Sequence, residues 1–271
     1  MASGDARPIG VFDSGIGGLT VLKALMARLP HESTLYLGDT ARLPYGTKSA
    51  EVVTRYTIHN AEFLIERGIK LLVVACNTAS AVALPLLSGL VKVPVVGVIE
   101  PGGTAAAATT RTGKVGVIGT LGTIGSGAYS RALERARPGV QVFPKACPLF
   151  VPLAEEGWVQ GVVPRLVAQE YLGELSGAGV DTLVLGCTHY PLLKGIIGEV
   201  MGPGVTLVDS AEATAEVVAQ RLEASGLLAP DGIATFHRYF VTDVAEKFLS
   251  VAERFLGRPV GQAEQVDVPF R

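Results

Sequence analysis

Charge is scarce in this 271-residue chain: Asp, Glu, Lys and Arg together make up 18%, and the net charge is −2. With no basic stripe, nothing draws it to nucleic acid or to anionic lipid. Cysteine is scarce too. Three are present, without a C-x₂-C pair and with four histidines, most of them scattered, so a zinc site lacks its ligands. The opening residues, Met1 to Arg7, have no apolar stretch of the kind a signal peptide needs. An odd number of thiols behind such a start is expected to stay reduced, in the cytosol. A long unbroken apolar run is also missing. Leu71–Val91 carries no charge over the length of roughly 20 residues that spans a bilayer, yet Asn77, Thr78, Ser80, Pro85 and Ser88 interrupt it. A strand and then a helix are expected there, and no membrane partner.

Apolar residues make up 48% of the chain, enough for a buried sheet. One passage occurs twice. Leu71-Leu72-Val73-Val74-Ala75-Cys76-Asn77-Thr78 returns as Leu183-Val184-Leu185-Gly186-Cys187-Thr188-His189, each followed by a Pro-Leu-Leu. Both are apolar, strand-like runs that end on a cysteine and small polar residues. Each half also begins with a strand and a glycine-rich turn, at Asp13-Ser14-Gly15-Ile16-Gly17-Gly18 and at Thr120 to Gly127. The alternation of strand, loop and helix predicts an α/β fold. Its form is expected to be two similar parallel-sheet α/β domains related by a pseudo-twofold, with the active site between them. Residues 1–100 plus 211–271 would form the first domain and 101–210 the second. Val93–Ile99 reads as a strand, Glu100-Pro101-Gly102-Gly103 as a boundary and Pro148–Pro152 as a loop. The tail, Val260–Arg271, reads as polar and free to pack anywhere.

In open α/β sheets, ligands sit beyond the carboxyl ends of the strands. A single buried cysteine is more often a small core residue than a reagent, and Cys147 is assigned to the core. Two cysteines at matched strand ends reverse that expectation, because Cys76 and Cys187 can face each other across one small molecule. Asn77, Thr78, Thr188 and His189 are donors for a thiolate or a bound carboxylate. Asp13 can orient or deprotonate a neighbouring thiol, and His189 is placed to exchange a proton with Cys187. Ser14 is either a helix cap or part of an anion-binding turn. Asp39 with Pro44-Tyr45-Gly46, and Glu155 with Glu156, read as a capping acid with a turn and as helix-end charges.

Together these motifs resemble the glutamate racemases of the cofactor-independent aspartate/glutamate racemase superfamily. The resemblance rests on Asp13–Gly18, Gly38–Gly46, Ala75–Ser80, Gly186–Pro191, Pro148–Gly157 and the Gly119-Thr120 loop. It implies a two-base racemase, without cofactor or metal, that supplies D-glutamate for bacterial peptidoglycan and works as a cytoplasmic homodimer. Cys76 and Cys187 would act on opposite faces of the α-carbon, assisted by Asp13 and His189. Asp13, Ser14, Tyr45, Gly46, Asn77, Thr78, Thr120, Thr123, Thr188 and His189 would hold the substrate, with Asp39 and Glu155 as auxiliaries. Three other readings stay open: an aspartate or hydantoin racemase on the same frame, a protein that mainly binds (gyrase inhibition being reported for some relatives), and a thiol redox protein.

Overall fold

The computed structural model describes residues 4–269, so Met1–Ser3 of the opening residues and Phe270–Arg271 of the tail lie outside the described residues. Two parallel sheets carry the chain. The first half runs β1 (Ile9–Asp13), α1 (Leu19–Arg28), β2 (Thr34–Gly38), α2 (Ala50–Glu66), β3 (Leu71–Val74), α3 (Asn77–Val82), α4 (Leu84–Leu90) and β4 (Val95–Gly97). Then come α5 (Ile99–Thr109), β5 (Lys114–Gly119), α6 (Leu121–Gly125), α7 (Ala128–Ala136), β6 (Gln141–Ala146) and α8 (Phe150–Glu155). After α9 (Val162–Gly177) follow β7 (Thr182–Gly186), α10 (Lys194–Met201) and β8 (Thr206–Asp209). The chain closes with α11 (Ser210–Ala224), β9 (His237–Val241), α12 (Ala245–Leu256) and β10 (Glu264–Gln265).

The duplication is visible in strand order. The second sheet runs β6-β5-β7-β8, and the first contains the same order, β2-β1-β3-β4, extended by β9 and β10 on its β2 edge. Among the described residues every ladder is parallel. β1, β3 and β7 are buried along their whole length, as strands covered on both faces by helices must be. β3 and β7 occupy equivalent places, so Cys76 and Cys187 leave equivalent strand ends. After Ser210 the chain returns to the first sheet: α11 packs on α1 and α5, and β9 pairs with β2.

The chargeless span from Leu71 divides into β3, α3 and α4, and among the described residues no helix is long and apolar enough to cross a membrane. Four local expectations are corrected. The strand expected over Val93–Ile99 keeps only Val95–Gly97, and the expected break at Glu100-Pro101-Gly102-Gly103 is the beginning of α5. Pro101 falls in the first helical turn, where its missing N–H would have had no partner anyway. Gly103 is there for close packing: a Cβ on it would stand 2.8 Å from the Cβ of Ala132 on α7. The loop expected at Pro148–Pro152 is largely α8, a short helix held by Phe150, whose ring meets Tyr171 and Tyr190 edge-on at 5.3 Å each. The tail packs in one specific way, with β10 beside β9 and Val268 buried.

Candidate active site

A cavity of ≈ 310 Å³ lies where the carboxyl ends of the two sheets meet. Ser14, Gly15, Leu43–Gly46 and Cys76–Thr78 line it from the first half; Thr120, Val151, Pro152, Glu155 and Cys187–His189 line it from the second. All three cysteines of the chain are free, and Cys76 and Cys187 open into this one space. No lysine or arginine is among the lining residues. Apart from His189, an acidic ligand here is met by hydroxyls, amides and backbone N–H groups.

On one wall, Cys76 caps α3, its Sγ accepting a hydrogen bond from the Ala79 N–H at 3.5 Å. A helix N-terminus favours thiolate, but burial and then the Asp13 carboxylate outweigh it, and the thiol is pushed up to about 12. Asp13 ends β1 with no solvent exposure. Its Oδ2 accepts from the Gly15 N–H at 2.9 Å, whereas Oδ1 is buried without a hydrogen-bond partner among the described residues. Burial raises its pKa, against the lowering influence of the His189 charge and the turn N–H groups. Asn77 Oδ1 accepts from the Tyr129 hydroxyl at 2.7 Å, which leaves Nδ2, buried and without a partner among the described residues, as a donor for a ligand.

On the other wall, the His189 ring lies between Cys187 and Glu155, with Nδ1 3.8 Å from Cys187 Sγ and Nε2 3.0 Å from Glu155 Oε1. Burial alone would push this imidazole down. The thiol and the carboxylate overcome that and hold it at about 10, so it is an imidazolium near neutral pH. For Glu155, burial opposes ionisation, but the His189 bond and charge, with Lys247 adding to them, lower its pKa. The ring is also clamped from the first half, because a Cβ on Gly17 would stand 2.5 Å from Nδ1. Between the walls runs a seam of hydroxyls: Thr78 Oγ1 is 2.9 Å from Thr120 Oγ1 and 3.2 Å from Thr123 Oγ1.

The structure thus brings Ser14, Tyr45, Gly46, Cys76, Asn77, Thr78, Thr120, Glu155, Cys187, Thr188 and His189 to the cavity. Asp13 and Thr123 stand just behind its wall. Asp39 is farther back and works on Tyr45: its Oδ2 accepts from the Tyr45 hydroxyl and from Asn60 Nδ2 at 3.1 Å, and its Oδ1 accepts from Thr242 Oγ1 at 2.9 Å. The Asp39→Asn variant is expected to lose about tenfold in kcat/KM, or ~1.4 kcal/mol, through a loosened Tyr45 loop and mainly in KM. Steady-state kinetics check this; unchanged constants would make the network purely structural. Sequence reasoning missed Val151 and Pro152, whose proline signal suggested a loop, and Tyr129, a helix residue with no local signal at all.

The family model for Asp/Glu/Hydantoin racemase matches residues 19–218. A glutamate racemase of Geobacter metallireducens is 60% identical over 262 residues, 97% of each chain. Among solved structures, a glutamate racemase isoform of Bacillus anthracis superposes with a TM-score of 0.94 at 42% identity, covering 98% of this chain and 99% of its own. A glutamate racemase of Francisella tularensis, in complex with D-glutamate, gives a TM-score of 0.91 at 40% identity and covers 97% of this chain and 98% of its own.

Proposed function

This chain belongs to the Asp/Glu/hydantoin racemase family and is a glutamate racemase, and from that premise we propose that it interconverts L- and D-glutamate by proton transfer between Cys76 and Cys187, with no cofactor. The observation that carries the mechanism is two free thiols at equivalent strand ends, opening into one cavity from opposite walls. Inversion needs a base on one face of the α-carbon and an acid on the other.

In the L-to-D direction, Cys187 as thiolate takes the α-proton, and the electron pair left on carbon delocalises into the carboxylate. The pair then takes the Cys76 proton from the opposite face. D-glutamate leaves behind a Cys187 thiol and a Cys76 thiolate, which is the starting state for the reverse reaction. Support for Cys76 as donor in this direction is its pKa of about 12, which keeps its proton in place near neutral pH. The imidazolium of His189 beside Cys187 is the countercharge for that thiolate. Asn77 Nδ2 and the threonine hydroxyls are preorganised donors for the charge that builds up on the carboxylate. Asp13 assists Cys76, and its unpartnered oxygen suits the substrate ammonium. The product would serve peptidoglycan synthesis, and the enzyme would be a cytoplasmic homodimer.

The test is circular dichroism of L-glutamate with purified protein in D₂O and no added cofactor. Loss of optical activity with deuterium at the α-carbon is expected. Turnover of aspartate in place of glutamate, or dependence on an added cofactor, would overturn the proposal.

A further inference from the structure

His189 carries the Cys187 half of the proposed chemistry, yet little in its own backbone fixes its ring. The terminal torsion of a histidine is broad and roughly two-fold. At 3.8 Å the Nδ1–Sγ approach is already long, so a small rotation ends it. Besides the Glu155 contact and the close approach of Gly17, the ring is held from outside by the last turn of α12. The Phe255 ring, 2% exposed, stands against the imidazole with centroids 5.4 Å apart and planes at 82°. A perpendicular aromatic contact resists rotation of either ring. The preceding residue reaches the same relay by another route: Arg254 Nη1 donates to the backbone carbonyl of Glu155 at 2.7 Å. The guanidinium lies close over the turn after Glu155, where a Cβ on Gly157 would stand 2.9 Å from Nη1. Glu155 is the residue that grips His189 Nε2.

We infer that α12 sets the Cys187 side of the site: Phe255 fixes the plane of the His189 ring and Arg254 fixes the turn that presents Glu155, so that both are positioning residues for racemisation. The inference rests on the two-thiol reading above. It goes further in making one wall of the site depend on the C-terminal helix. Cys76 lies on the other wall, where its hydrogen bond is to Ala79 and its charge neighbour is Asp13.

The experiment compares full-length Phe255→Leu, Phe255→Tyr and Arg254→Met with the parent. Kinetics are measured with both enantiomers, and the alkylation rate of each cysteine by iodoacetamide is read by peptide mass spectrometry. Phe255→Leu should lower kcat roughly 10- to 100-fold with KM little changed, the scale of a misplaced reacting group. It should also slow alkylation of Cys187 and leave Cys76 as it was, because the thiolate loses its imidazolium. Phe255→Tyr keeps the ring and should retain most of the activity. Arg254 is exposed, so its variant will fold, and it should show a smaller loss of the same kind. Unchanged kcat in Phe255→Leu, or equal slowing of both cysteines, would overturn the inference. If the parent itself turned over no glutamate, the functional reading would fail, while the contrast between the two cysteines would still decide the positioning role.

Discussion

Cys76→Ala and Cys187→Ala should each lower racemisation about a thousandfold, within the 10²- to 10⁴-fold worth of a positioned acid or base and equivalent to ~4 kcal/mol of barrier. The two enantiomers have equal free energy in water, so the equilibrium constant is one and kcat/KM must fall equally in both directions. Rate loss alone therefore cannot say which thiol serves which face. Isotope exchange can. With Cys76 gone, Cys187 can still remove and return the α-proton of L-glutamate, so deuterium should wash into L-glutamate and not into D-glutamate. Cys187→Ala should show the opposite. Proton NMR in D₂O reads both, and washout into both enantiomers by either variant would sink the two-thiol assignment. Both cysteines are almost fully buried, at 5% and 6% exposure, but each opens into the cavity, so removing a sulfur should cost little stability.

A second large effect is expected far from the site. Lys70 has no solvent exposure, and its Nζ makes three contacts: the Asp5 and Leu227 carbonyls, each at 2.7 Å, and Glu32 Oε2 at 2.6 Å. Glu32, 3% exposed, also accepts from the Ala229 N–H at 2.7 Å. One ammonium thus ties together the entry to β1, the turn after α1, the start of β3 and the exit from α11. Removing one partner of such a pair leaves a buried charge unpaired, at a cost of about 3–5 kcal/mol. Lys70→Ala should therefore lower the melting temperature by roughly 10 °C. Lys70→Met with Glu32→Leu should recover much of that loss, because no lone charge remains. Calorimetry tests both; a double variant no better than the single one would remove the ion pair from the account.

Much of this layout can be read from the chain because the signal is stated twice. Strands buried on both faces write themselves as apolar runs, and the repeated cysteine after such a run marks β3 and β7. Where one principle overrode another, the reading failed. Proline and glycine at Pro101 to Gly103 look like a break, but the first turn of a helix tolerates proline and close helix packing calls for glycine. The prolines around Phe150 suggest a loop, and only the tertiary contacts of that ring explain α8. Glu155 looked like an exposed helix-end charge because its partner, His189, is distant in sequence. Phe255 had nothing local to mark it. Its role exists only because α12, packed on α1, brings its last turn against His189 and Glu155.

The broken repeat also bears on chirality. Two stretches of L-amino-acid chain with the same strand order can be superposed by a rotation and never by a reflection, whereas the two substrates are mirror images. A perfect repeat would thus present the enantiomers with environments that are not mirror images of each other. The chain departs from the repeat at the chemistry itself: the first half has Asp13 at the end of β1 where the second has Gly119 at the end of β5, and Cys187 has His189 where Cys76 has Thr78. Unlike neighbours let two like thiols serve unlike hands. The saturation constants for L- and D-glutamate are accordingly free to differ, while their kcat/KM values stay tied together.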